Sequence, residues 1–186
     1  MPKIYLASKS PRRQELLKLM GLEYTLYLKD IDESYPDTLQ ASEVAEFIAQ
    51  KKASAFAVPD EGLILTADTI VVVDDEILGK PKDMEDAFYM LRKLSGRKHE
   101  VITGVSLVSQ EKQVSFSVIT EVYFKELSDA EIDFYIRTYK PFDKAGAYGI
   151  QEWIGLVAIT RINGSYTNVV GLPTERVYDE LKEFGF

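Results

Sequence analysis

Hydrophobic and polar positions along this chain switch repeatedly between strand-like and helix-like spacing. Lys3–Ala7 is a short apolar stretch that reads as a first strand. Pro11–Met20 has the marks of a helix, with Ser10 placed to cap it, Pro11 at its first position and Gly21 just past its end. A second helix is predicted over Ser42–Phe56, where Val44, Phe47, Ile48 and Ala55 recur at helical spacing. Leu63–Val73 is almost continuously apolar and rich in β-branched residues, the pattern of a buried strand. Asp74 and Asp75 then predict a turn into a short strand ending near Gly79, and Asp83–Leu94 repeats the helix signature with acidic residues first and Gly96 after it.

Two long stretches, Glu100–Ser109 and Gln113–Leu127, read as alternating strands and predict an antiparallel pair. Ser128 and Glu131 form the capping-box pattern that opens a helix through about Thr138. Gly155–Ile162 and Tyr166–Val170, joined by Asn163-Gly164, predict a β-hairpin, and Pro173–Phe184 predicts a closing helix. This alternation implies an α/β or α+β fold. No repeat, low-complexity tract or linker interrupts it, so residues 1–186 read as one domain.

Composition narrows the function classes. No run approaches the roughly 18 apolar residues of a membrane span, and the opening MPKIYLA turns polar too soon for a signal peptide. Without cysteine, disulfides, Cys-bound zinc and thiol catalysis are excluded, and a cytoplasmic location is the expectation. The formal net charge of −8 repels a nucleic-acid backbone. A small polyanion remains acceptable where cations gather locally. His99 is the only histidine and has no evident Ser or acid partner, so a Ser-His-Asp triad is unsupported.

Several residues break their local rules. Arg12 and Arg13 occupy the first turn of a helix, where the dipole disfavours cations. An anion there would meet backbone N–H groups, the Ser8 and Ser10 hydroxyls and both guanidinium groups; otherwise Ser10 only caps and the arginines face solvent. Asp68 interrupts an apolar strand, either as a rigidly mounted metal ligand or base or as the start of an Asx-type turn. Lys52 shares a helix face with Val44 and Ile48, so it snorkels outward or points into a site. Lys80 precedes Pro81 and is held extended, as a functional cation or an exposed loop lysine. In Asp143–Gln151, small residues including Gly146 and Gly149 surround Lys144 and Gln151; the segment is a ligand loop reaching phosphate and base, or a tight structural turn.

These segments together resemble the Maf family of nucleotide pyrophosphatases. The likeness runs through Leu6-Ala-Ser-x-Ser-Pro-Arg-Arg-x-Glu-Leu-Leu17, Ala67-Asp-Thr69, Gly79-Lys-Pro81, Met90-Leu-Arg-x-Leu-Ser-Gly96, Asp143-Lys-Ala-Gly-Ala-Tyr-Gly-Ile-Gln151 and Gly164-Ser-Tyr-x-x-Val-Val-Gly-Leu-Pro173. The resemblance implies a mixed α/β fold similar to the inosine triphosphate pyrophosphatases, with a central mixed sheet and two lobes around a cleft. It implies water attack at the α-phosphorus of a nucleoside triphosphate, dependent on a divalent metal, Mg2+ or Mn2+. By the same resemblance Asp68 is the catalytic carboxylate, acting as general base or metal ligand, and Glu33 helps hold metal. Ser8, Arg13, Lys52 and Lys80 hold the phosphates, while Arg12, Thr69 and Gln151 match the branch that prefers dTTP and UTP. Glu152-Trp153 departs from the small residues often found after the Gln. The family likeness also suggests a homodimer. Two rival functions stand beside the enzyme: a nucleotide-binding regulator of septum formation without turnover, and a monophosphate phosphatase, which lacks an Asp-x-Asp or Cys-x5-Arg motif.

Overall fold

A computed structural model describes residues 3–186. In chain order its elements are β1 (Ile4–Leu6), α1 (Pro11–Leu19), β2 (Tyr24–Leu26), α2 (Ala41–Ser54), β3 (Leu63–Val73), β4 (Glu76–Leu78), α3 (Met84–Leu94), β5 (Lys98–Val108), β6 (Gln113–Phe124), α4 (Asp129–Tyr139), a 3-10 turn (Ala145–Ala147), α5 (Trp153–Val157), β7 (Ile159–Asn163), α6 (Tyr166–Val170) and α7 (Thr174–Lys182). The strands hydrogen-bond in the order β2-β1-β3-β5-β6-β7, with β4 on β3, giving a mixed sheet. The chain forms two compact units. One holds the residues up to Thr69 with Thr103–Val118 and Gly171–Phe186; the other holds Ile70–Ile102 and Ile119–Val170.

In the first unit β1 runs parallel to β2 and β3, with Ile4 opposite Tyr24 and Leu63. Ser10 caps α1 as expected, its hydroxyl accepting the Arg13 N–H at 3.4 Å. Helix α2 buries Val44 and Ile48, each worth roughly 1.5–3 kcal/mol of apolar burial. The helix lies directly on β5 at Gly104, where a Cβ would stand 2.2 Å from the Ala45 carbonyl carbon. Thr66 of β3 donates to the Ala49 carbonyl at 2.6 Å. These two contacts fix α2 against the strands, and the buried face they seat is the one that carries Lys52.

In the second unit, α3 and α4 bury Leu91, Leu94, Ile132 and Ile136 in one core with Val71, Leu78 and Val122. The capping box at the start of α4 is present: Ser128 N–H donates to Glu131 at 2.7 Å, and Glu131 N–H to the Ser128 hydroxyl at 3.3 Å. Asp74 and Asp75 take left-handed φ values of 48° and 61°, turning β3 into β4 as the sequence suggests.

Two expectations are corrected. The predicted hairpin over residues 155–170 is instead α5, β7 and α6, and β7 pairs antiparallel with β6, Val122 opposite Ile162. The reason lies at Ser165. Its hydroxyl accepts the Asn168 N–H at 3.3 Å and its carbonyl the Val169 N–H, while buried Asn168 donates to the Val101 carbonyl and the Thr120 hydroxyl. Those bonds favour a helical turn over a returning strand. The alternation expected of Glu100–Ser109 is also absent, since Val101–Leu107 is buried throughout. With β3 and β6 on either side, β5 is a central strand covered on both faces.

His99 is buried at the start of β5, with Nε2 2.7 Å from the Tyr148 hydroxyl and its ring edge-on to Phe124 and Tyr148. Its Nδ1 has no hydrogen-bond partner among the described residues. Burial holds the imidazole neutral and lowers its pKa from 6.5 to about 3. The unfolded chain therefore takes up a proton, as pH falls below 6.5, that the folded chain refuses. The stability this neutral imidazole contributes is complete above that pH and declines as pH drops towards 3. The expected slope is about 1.4 kcal/mol per pH unit, starting before the carboxylates titrate. Urea unfolding across that range measures it, and a His99→Phe variant should show the slope removed between about pH 6 and 5.

Candidate functional site

The catalytic candidate of the first unit sits on β3, where two half-buried residues, Asp68 and Thr69, interrupt an otherwise buried strand. Strand hydrogen bonding on both sides of β1 and β3 makes this a rigid mount. Lys52 reaches it from the buried face of α2 rather than snorkelling outward. Its Nζ stands 2.7 Å from Asp68 Oδ1 and 2.8 Å from Glu33 Oε1. The Lys52 and Asp68 side chains are only 12% and 14% exposed, so this pair is largely desolvated while Glu33 remains half in water. A desolvated ion pair is weak as a source of stability and more telling as a prepared site.

The segment carrying Glu33 is tied down on both sides of it. Lys9 pairs with Asp30 at 2.6 Å and Lys51 with Asp32 at 2.9 Å. Hydrogen bonds from Ser34 and Lys51 hold the Asp32 carboxyl down at a pKa of about 2. These exposed pairs orient the segment more than they stabilise it.

Arg13 does not face solvent. Its Nε donates to the Gly171 carbonyl at 2.8 Å, and its Nη1 to the Ser8 hydroxyl at 3.2 Å and the Ala67 carbonyl at 2.9 Å. Its Nη2 donates to the Thr69 hydroxyl at 3.0 Å, and Thr69 lies 2.9 Å from the Thr103 hydroxyl. Burial pulls the guanidinium pKa downward, with Asp68 opposing that shift and Arg12 adding to it. The guanidinium thus joins Ser8, the Asp68–Thr69 strand and the start of the C-terminal segment. Ser8 is buried, and Arg12 is half-buried in the same first turn of α1. The sequence reading missed the Ala67 and Gly171 carbonyls and Thr103 as members of this cluster. Backbone acceptors have no side-chain signature, and Thr103 sits in a strand read only for its alternation.

Lys80, Lys144 and Gln151 belong to the second unit. Lys80 and Gln151 are exposed. The Gly79 carbonyl accepts the Gly146 N–H at 3.1 Å, which brings the Lys80 segment against the loop containing Lys144. Lys144 is engaged by Asp143 at 2.8 Å and Glu152 at 3.1 Å. Trp153 packs on Phe134 and Tyr135, as a core residue would.

Asp68 and Glu33 both present hard carboxylate oxygens to the Lys52 ammonium, which offsets one of their two negative charges. Among the described residues there is no cluster of three or more acidic, His or Cys side chains able to hold a metal alone. Two carboxylates without an all-protein cage fit Mg2+ or Mn2+, which keep waters and share their coordination with substrate phosphates. No helix among the described residues is long and apolar enough to cross a membrane.

Comparison with known proteins identifies the family and the fold. The family model described as Maf-like protein matches residues 3–184. A relative from Phocaeicola vulgatus named dTTP/UTP pyrophosphatase is 57% identical over 185 residues, covering 97% of this chain and 95% of its own. One from Flavobacterium psychrophilum with the same name is 55% identical, covering 95% and 91%. Among solved structures, a HAM1 protein from Coxiella burnetii superposes with a TM-score of 0.52 at 16% identity, covering 98% of this chain and 100% of that one. The Staphylococcus aureus Ham1 protein gives 0.52 at 13% identity, covering 99% and 100%. At such identities the structural likeness speaks for the fold alone.

Proposed function

Because the chain belongs to the Maf-like protein family, we propose that it is a nucleoside triphosphate pyrophosphatase that hydrolyses dTTP and UTP to monophosphate and pyrophosphate. The observation that carries the chemistry is the Lys52 ammonium held between Asp68 and Glu33 beside the strand that Arg13 organises. In the reaction a water oxygen bonds to the α-phosphorus, the bond from that phosphorus to the bridging oxygen of the β-phosphate breaks, and pyrophosphate leaves. Asp68 accepts the proton of the attacking water, and its mount on β3 keeps it in one place for that transfer. Lys52 orients the Asp68 carboxylate and offers positive charge to the phosphates, with Ser8 and Lys80 as further donors. A divalent ion held by Asp68 and Glu33 would supply additional neutralisation of phosphate charge. Arg12, Thr69 and Gln151 read the pyrimidine base in this proposal. The cysteine-free composition suits the cytoplasm.

The test is pyrophosphate release from dTTP, UTP, CTP, 7-methyl-GTP and ATP, with Mg2+ or Mn2+ and with chelator. Metal-dependent release led by dTTP or UTP, with the monophosphate as co-product, is the expected result. Turnover led by another base would keep the chemistry and discard the base assignment. Nucleotide binding without turnover would leave a regulatory binder instead.

A further inference from the structure

The loop after Asp143 carries a network that the chemistry proposed above does not use. Tyr135 of α4 is fully buried, and its hydroxyl accepts the Gly149 N–H at 3.0 Å while donating to Glu152 Oε2. Burial and the Glu152 carboxylate push the Tyr135 pKa upward, so the hydroxyl stays a neutral donor. The other Glu152 oxygen, Oε1, lies 3.1 Å from Lys144 Nζ, and the Lys144 side chain is 12% exposed. Both side chains cross directly over Gly149. A Cβ at Gly149 would stand 2.9 Å from Lys144 Cε and 3.2 Å from Glu152 Cδ. The Glu152 N–H closes the turn by donating to the Gly149 carbonyl at 3.0 Å. Gln151 stands exposed inside that closed turn, between Gly149 and Glu152, whose bonds to Tyr135 and Lys144 hold its two ends.

We infer that Glu152 is a positioning residue: by gripping Tyr135 and Lys144 together it fixes the Gly149–Glu152 turn that presents Gln151, and so sets discrimination among pyrimidine bases. The inference rests on the base-reading role proposed for Gln151. It also gives Lys144 a different task from phosphate contact. With Asp143 and Glu152 both on its ammonium, Lys144 serves as the strut of the turn. A flexible Gln side chain on a loose turn would pay rotational and backbone freedom on each binding event; the network removes the backbone part of that cost.

The test is steady-state kinetics on dTTP, UTP and CTP for the wild type, Gln151→Ala, Glu152→Gln and Tyr135→Phe, each checked for folding by thermal unfolding. Glu152→Gln keeps an acceptor for Tyr135 and removes the negative charge facing the Lys144 ammonium; Tyr135→Phe removes the acceptor for Gly149. Both should raise KM for dTTP about 5- to 20-fold, the size of one or two lost hydrogen bonds, with kcat within about twofold. The preference for dTTP over CTP should fall in the same direction as in Gln151→Ala. A merely structural role would lower the active fraction and leave KM and the base ratio alone. Wild-type KM and base ratio in folded Glu152→Gln, with Gln151→Ala shifted, would overturn the positioning role and spare the reading of Gln151. An unshifted Gln151→Ala would overturn both. If Tyr135→Phe does not fold, the near-isosteric Glu152→Gln decides alone.

Discussion

Asp68→Asn is expected to slow pyrophosphate release from dTTP by roughly 10²- to 10⁴-fold, the range a positioned acid–base group contributes. The fold should survive the change. Asn matches the shape of Asp, keeps an oxygen for Lys52 Nζ, and leaves Glu33 as counter-charge to that ammonium. Removing one partner of a fully buried pair costs about 3–5 kcal/mol. Here the second carboxylate remains and solvent reaches Glu33, so about 1–2 kcal/mol is the expected loss. Single-turnover rates and thermal unfolding on the same preparation separate the two effects. A near wild-type rate in a normally folded Asn variant would remove Asp68 from the chemistry.

The second large effect concerns stability and comes from Arg13. Arg13→Ala should destabilise the protein by about 3–5 kcal/mol, because the Ser8 and Thr69 hydroxyls and the Ala67 and Gly171 carbonyls all lose a donor. Arg13→Lys should recover less than half of this loss, since an ammonium is a point donor and cannot reproduce the planar fork that spans four acceptors. Urea unfolding measures both variants, with an unchanged denaturant slope as the sign that only stability moved. A loss below about 1 kcal/mol for Arg13→Ala would mean that water replaces the guanidinium and that its charge is available to an anion after all.

The parts of the molecule legible in the sequence are those held by neighbours three or four residues apart. Ser10 capping α1, the Ser128–Glu131 box and the Asp74–Asp75 turn all appear where the pattern puts them. Lys52 was recognisable as an anomaly because Val44 and Ile48 mark its face as buried, and its partners follow from placing that face against the strand bearing Asp68. Where local signals competed, the reading failed. Asn163-Gly164 resembles a hairpin turn, yet the Ser165 cap and the buried Asn168 bonds to Val101 and Thr120 win, because giving the donors of a buried amide their acceptors outweighs a turn preference.

The sequence alone determined the alternation of strands and helices, their caps, the family motifs, and the identity of the charged residues that do not belong on an ordinary surface. Only the tertiary structure decided what those charges do. Arg13 satisfies acceptors 54 and 158 positions away, and Lys52 meets a carboxylate 16 positions away. Glu152 reaches a tyrosine 17 positions earlier, on a different helix. A guanidinium that faces an anion from the first turn of a helix and one that braces backbone carbonyls look the same in a string of letters. The difference is made by which desolvated acceptors folding brings within hydrogen-bond reach of its donors, since leaving a buried polar group unpaired is costly and the packing decides which partner is at hand.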